Sequence, residues 1–153
     1  MSVHVSCEGM RDPTNANHLE TPRSAVVEGR TLDLRSGDID GVQYAWAKLT
    51  NAHEGDSIWL EISGDSGHTW IQCGRRTIHA SGRNYTDAQR TNESSEVCMR
   101  AGLQLGPQHQ TASSKFPCWH ISIVSQSLPV IGRASAASRP ARFLGGASGQ
   151  QNR

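Results

Sequence analysis

Two short alternating runs face each other across a polar bend, and a β-hairpin is the local structure that accommodates both. Ser57 to Ser63 sets Ile58, Leu60 and Ile62 against Trp59, Glu61 and Ser63, and Thr69 to Cys73 alternates again, with Thr77 to His79 extending it. A period of two over both arms is the mark of strands, not of a helix. The bend reads Ser63-Gly64-Asp65-Ser66-Gly67-His68-Thr69-Trp70. Asp65 can accept N–H bonds across its own turn. Gly67 reaches positive φ without a Cβ clash. Ser63 and Thr69 can bond across the strand ends, and Trp70 can pack under the turn and shield those bonds.

Further strands are expected on either side. Val26, Leu32 and Leu34 alternate with Glu28, Thr31, Asp33 and Arg35, with Gly29 marking a bulge. Gly37 to Gly41 has turn chemistry. From Val42 to Leu49, Val42, Tyr44, Trp46 and Lys48 share one face, and Gln43, Ala45, Ala47 and Leu49 the other. The small residues of that second face suit close approach to another sheet or a partner. Asn51 to Asp56 is a polar connection, and residues 80–94 form a long polar loop. Val97, Met99, Ala101 and Leu103 alternate with Glu96, Cys98 and Arg100. Regularly spaced strand signals, with no helical period and no internal repeat, predict an all-β fold: a small antiparallel β-sandwich or barrel-like domain.

The 153 residues suggest one domain, and with 35% hydrophobic residues its core is thin. Residues 1–23, with Asp12-Pro13 and Thr21-Pro22, read as an extended lead-in. Residues 24–105 are the expected β-domain. Residues 106–153 are an irregular, basic tail, expected to be largely disordered because Ala, Ser, Arg, Gly and Gln dominate its end. The first 105 residues carry 10 Lys/Arg against 14 Asp/Glu, and the remainder 5 Lys/Arg and no acid. The overall charge of +1 makes no case for nucleic acid. No stretch approaches the length of apolar sequence that spans a membrane.

The bend matches S-x-D-x-G-x-T-W at every fixed position, through Ser63, Asp65, Gly67, Thr69 and Trp70. It resembles the Asp-box hairpin of sialidases and other secreted β-proteins, where the box is structural and lies away from the active site. Gly64-Asp65-Ser66-Gly67 also spells the segment around a trypsin-like nucleophile. That reading fails, because the triad needs a His and an Asp on a larger two-barrel fold.

Cys7, Cys73, Cys98 and Cys118 lack the paired spacing of a zinc site. An even count in a polar chain points to disulfides and an oxidising compartment, although no apolar run after Met1 displays a signal peptide. Cys73 and Cys98, on neighbouring predicted strands, are the first candidates to pair. Cys98–Cys118 and Cys7–Cys118 are equally open, and four free thiols are the alternative. Asn84-Tyr85-Thr86 and Asn92-Glu93-Ser94 are glycosylation sequons of a kind that chance supplies often. The seven histidines are scattered, so no metal and no cofactor is expected. Trp46, Trp59 and Trp70 fall in one small sheet region. Such residues are more often core, but Trp46 and Trp59 are the candidates for a binding surface.

Glu28 to Arg35, Gln43 to Leu49, Gly55 to Leu60, and the bend running into Trp70-Ile71-Gln72-Cys73-Gly74 follow in an order that resembles a group of small secreted actinobacterial proteins, most of them functionally uncharacterised. Val97 to Gly102 is similar to their closing strand, except that Cys98 precedes Arg100 instead of following Ala101. The resemblance covers about residues 24–102. It implies a secreted β-domain without recognised catalytic residues, and more distantly an adaptor in a secreted assembly such as the umbrella-shaped toxin particles.

The expected function is therefore that of a secreted, non-enzymatic β-sandwich binding a protein partner or surface. A glycan-binding module or degenerate glycosidase is the second expectation. It rests on the bend and the tryptophans, since Asp33, Asp38, Asp40 and Glu61 are carboxylates without motif support. A truncated or frame-shifted product without function is the third.

Overall fold

The computed structural model describes residues 2–106 and the backbone of Gln110–Ser113. The expected disorder of the tail beyond Ser113 concerns residues outside those described. No helix occurs among the described residues, so none is long and apolar enough to cross a membrane.

Among the described residues, eight strands form two antiparallel sheets. The first sheet orders β1 (Asn17–Val27), β2 (Arg30–Ile39), β3 (Val42–Thr50) and β6 (Gln89–Arg90) side by side. The second orders β5 (Ile71–Thr77), β4 (Ser57–Ser63), β7 (Cys98–Leu105) and β8 (Gln110–Ser113). The fold is thus the sandwich of the two expected forms.

The two sheets meet through alternating inward positions. Leu32, Ala47 and Leu49 of the first sheet cluster with Ile58, Ala101, Leu103 and Leu105 of the second. Leu34 and Ala45 cluster with Leu60, Ile62, Cys73, Val97 and Met99. Ala45 and Ala47 are completely buried, so the small face of β3 lies against the opposite sheet. Tyr44 and Trp46 point the other way and form a third cluster with Ala88 on the outer face of the first sheet.

Several local features differ from expectation. The segment 24–35 is not one bulged strand. Glu28 and Gly29 have φ of 48° and 83°, and Val27 pairs directly with Arg30. They form a two-residue hairpin turn whose twist suits the strands. Glutamate rarely occupies a left-handed position, which hid the turn. The next hairpin closes through Asp40 and Gly41, which follows the usual Asp-Gly preference.

The lead-in is also structured. Its last seven residues, 17–23, are the start of β1, paired with β2 through two register shifts. Pro22 and those shifts break the alternation on which strand recognition depends. Residues 2–16 lie along the sandwich, with Val3, Val5 and Met10 packed on the Leu34–Leu60 cluster. Part of the polar 80–94 loop runs beside β3, with Thr86 N–H donating to Ala47 O (2.9 Å) and Leu49 N–H to Asn84 O (2.9 Å). Beyond residue 105, β8 adds to the edge of β7. Its polar sequence has no alternation to announce it.

Candidate functional site

The bend between β4 and β5 folds around two side chains. Ser63 Oγ donates to Asp65 Oδ1 (2.7 Å) and accepts the N–H groups of Asp65 (3.2 Å) and Gly67 (2.8 Å). Asp65 accepts the Thr69 N–H at Oδ1 (2.8 Å) and the Thr69 hydroxyl at Oδ2 (2.7 Å). Ser66 and Gly67 supply the left-handed steps, with φ of 60° and 91°. Trp70 Nε1 donates to Gly67 O (3.1 Å), so its indole closes the bend from one side.

These donors stabilise the ionised form of Asp65. The Thr69 hydroxyl acts most strongly, followed by the Thr69 N–H and Ser63, and together they hold the carboxyl well below the usual carboxylate range. A group whose folded pKa is depressed contributes stability in full above its unfolded value, and loses it as pH falls toward the folded value. Wild-type protein is therefore expected to lose stability as pH drops below about 4. Asp65→Asn is expected to be less stable at pH 7 and to show a shallower loss over the acid range. Urea midpoints at pH 7 and pH 3 check this. Equal acid slopes in the two proteins would count against it.

A ladder of charged and aromatic groups crosses the outer face of the second sheet. β4 and β5 shift register between Ile58 and Leu60, where Gly74 has φ of 66°. The extra residue turns Arg75 outward, and its guanidinium lies 4.7 Å from the Trp59 ring centre. Trp59 Nε1 donates to Glu61 Oε2 (2.6 Å), and Glu61 Oε1 accepts from Arg100 Nε. The Arg100 guanidinium lies 3.9 Å from the Trp70 ring centre. A Cβ on Gly102 would lie 2.1 Å from Trp59 Nε1, so glycine there makes room for the indole.

The two tryptophans expected to form a binding surface are both buried. Trp46 is 4% exposed and Trp59 3%. Trp46 is covered by its cluster on the first sheet, where Gly37 admits both its ring and Leu19. Trp59 lies under Arg75 and beside Gly102. Both indoles are covered, and Gly37 and Gly102 on neighbouring strands leave the room they occupy.

The expected Cys73–Cys98 pairing is replaced by Cys7–Cys73, with Cα atoms 5.5 Å apart. β4 lies between β5 and β7, so Cys73 and Cys98 are two strands apart. Two strand spacings come to about 10 Å, beyond the ~7 Å that a disulfide spans. Cys98 is itself disulfide-bonded, and no described cysteine is free.

One constellation escaped the sequence. Asp56 is completely buried in the connection before β4, and it accepts from Arg30 Nε (2.9 Å) and Nη2 (3.0 Å). It also accepts the N–H of His53 (2.8 Å) and of Gly106 (3.1 Å). Desolvation works to raise its pKa, but Arg30 and the two N–H donors outweigh it and the carboxyl stays below its ordinary range. All its acceptor sites face protein donors, so the site is structural.

The two sequons differ in exposure. Asn84 is half-buried and its Nδ2 donates to Leu49 O (2.9 Å). Asn92 is exposed, and its Oδ1 accepts the Ser94 N–H (2.8 Å). Among the described residues, no three His, Cys, Asp or Glu side chains converge as metal ligands.

The remaining open feature is the outer edge of β1. Among the described residues the strand has one hydrogen-bonded neighbour, and its register with β2 is unbroken from Arg23 to Val27. Leu19 is 53% exposed and Val26 75%. Comparison with known proteins adds no relative. No family model, curated protein or solved structure matches this chain.

Proposed function

We propose that the protein is a secreted, non-catalytic β-sandwich that binds a protein partner through the outer edge of β1. The observation that carries this proposal is that edge: an eleven-residue strand bonded on one side among the described residues, bearing the two exposed large hydrophobic residues found there. An open strand edge accepts a partner strand by main-chain hydrogen bonds, with alternate side chains supplying specificity. Natural sheets usually blunt such edges. Here Pro22 and the two register shifts do so only up to Arg23, which leaves Ser24 to Val27 regular.

Export is supported by the oxidised state of Cys7, Cys73 and Cys98. The resemblance to secreted actinobacterial proteins supports the same compartment and, with the open edge, the role of an adaptor in an extracellular assembly. The glycan-binding alternative rested on the bend and the tryptophans, and burial of Trp46 and Trp59 leaves neither indole exposed for stacking on a sugar.

Immobilised protein, incubated with culture supernatant at micromolar concentration, is expected to retain a partner protein. Val26→Glu is expected to lose it while its unfolding midpoint stays within about 0.5 kcal/mol of wild type, as for other exposed positions. Retention of nothing, or equal retention by Val26→Glu, would refute the proposed edge.

A further inference from the structure

The N-terminal segment is held to the sandwich in an uneven way. Val3 N–H donates to Gly64 O (2.8 Å), and at the other end Arg11 and Ala88 exchange N–H···O bonds of 2.9 and 2.6 Å. Between them, one side chain reaches the backbone, with Gln89 Nε2 donating to Glu8 O (3.1 Å). The covalent tie in this stretch is Cys7–Cys73. Its two sulfurs have opposite surroundings: Cys7 is exposed, and Cys73 is 2% exposed in the Leu34–Leu60 cluster.

From this asymmetry we infer that Cys7 is a site of thiol–disulfide exchange with an external dithiol, and that the exchange releases residues 2–10 as a strap hinged at Arg11. The thiolate of the dithiol attacks Cys7 Sγ, forming a mixed disulfide and breaking the Cys7–Cys73 bond. Cys73 leaves as a thiolate and takes a proton from water. The second thiolate of the dithiol attacks its own sulfur in the mixed disulfide and expels Cys7. The dithiol ends as a disulfide, and the two protein cysteines gain two electrons and two protons.

Burial in an apolar cluster makes Cys73 a poor leaving group, because a thiolate is disfavoured there. Exchange is therefore coupled to lifting of the strap, which brings water to Cys73. The strap buries only three apolar side chains on the cluster, Val3, Val5 and Met10, each partly exposed. Segments with few buried contacts open locally at lower free energy than the whole fold. Release would uncover part of the Leu34–Leu60 cluster, on which Val3, Val5 and Met10 are packed.

The test is timed reduction of the native full-length protein by dithiothreitol without denaturant, quenched with iodoacetamide and mapped by mass spectrometry. Cys7 and Cys73 are expected to label at least about tenfold faster than Cys98, as local opening requires. Amide exchange over residues 2–10 and 60–64 is expected to rise, with that of 101–105, in the other core cluster, unchanged. Val3→Ser, which loosens the strap without touching the cysteines, is expected to speed labelling of Cys73. Labelling of all three cysteines at one rate, no labelling of Cys7 and Cys73 in the native protein, or an unchanged rate in Val3→Ser would overturn the inference.

Discussion

Asp56→Asn is expected to destabilise the protein by roughly 3–5 kcal/mol, the range for breaking one side of a buried ion pair. The substitution leaves the Arg30 guanidinium buried, with its side chain 6% exposed and facing a neutral amide. It also turns one acceptor oxygen into an NH2 group opposite donors. Asp56 joins three separate parts of the chain: the start of β2 through Arg30, its own turn through His53, and the end of β7 through Gly106.

The double substitution Arg30→Met with Asp56→Leu separates the pair from the rest of the site. Buried ion pairs replaced by apolar residues often recover stability. Here recovery is expected to fail, because the His53 and Gly106 N–H groups lose their acceptor, at about 1–3 kcal/mol for each orphaned donor. Urea unfolding of the two variants checks both statements. A double variant as stable as wild type would show that the backbone donors matter little. Because the folded pKa of Asp56 is depressed, its contribution is complete above the unfolded value and fades as pH falls toward the folded one. Asp56→Asn is thus expected to be the less acid-sensitive protein.

Cys7→Ser is expected to cost roughly 4 kcal/mol. The disulfide spans 66 residues in sequence. In the chain-entropy model a closure of that length removes about 4 kcal/mol of freedom from the unfolded chain. Cys73→Ser is expected to cost more than Cys7→Ser. Both lose the closure, but only Cys73 lies in the core, where serine would bury a hydroxyl. Denaturant midpoints of the two single variants under identical conditions check the order. Equal midpoints would mean that the packing around Cys73 contributes nothing beyond the bond.

Much of the architecture was legible because its signals are local. Alternation of Ile58, Leu60 and Ile62, and of Ala45, Ala47 and Leu49, follows directly from one face of each strand lying against the opposite sheet. The Ser63–Trp70 bend was legible for the same reason, since its donors and acceptors lie within eight residues. Where local order was concealed, so was the strand. Pro22 and two register shifts disguised β1, a left-handed glutamate disguised the turn after it, and polar residues disguised β8.

Sequence alone therefore determined the strands with unbroken period and the turn that closes on itself, because both depend on neighbours a few residues away. Tertiary structure decided which cysteine meets Cys73, that Arg30 meets Asp56, and that Trp46 and Trp59 are covered on the outer faces of their sheets. Those outcomes depend on strand order and on where a glycine leaves room across the sheet. Placing β4 between β5 and β7 separates Cys73 from Cys98 and leaves the N-terminal strap to supply its partner, a matter of spacing between strands that no local pattern encodes.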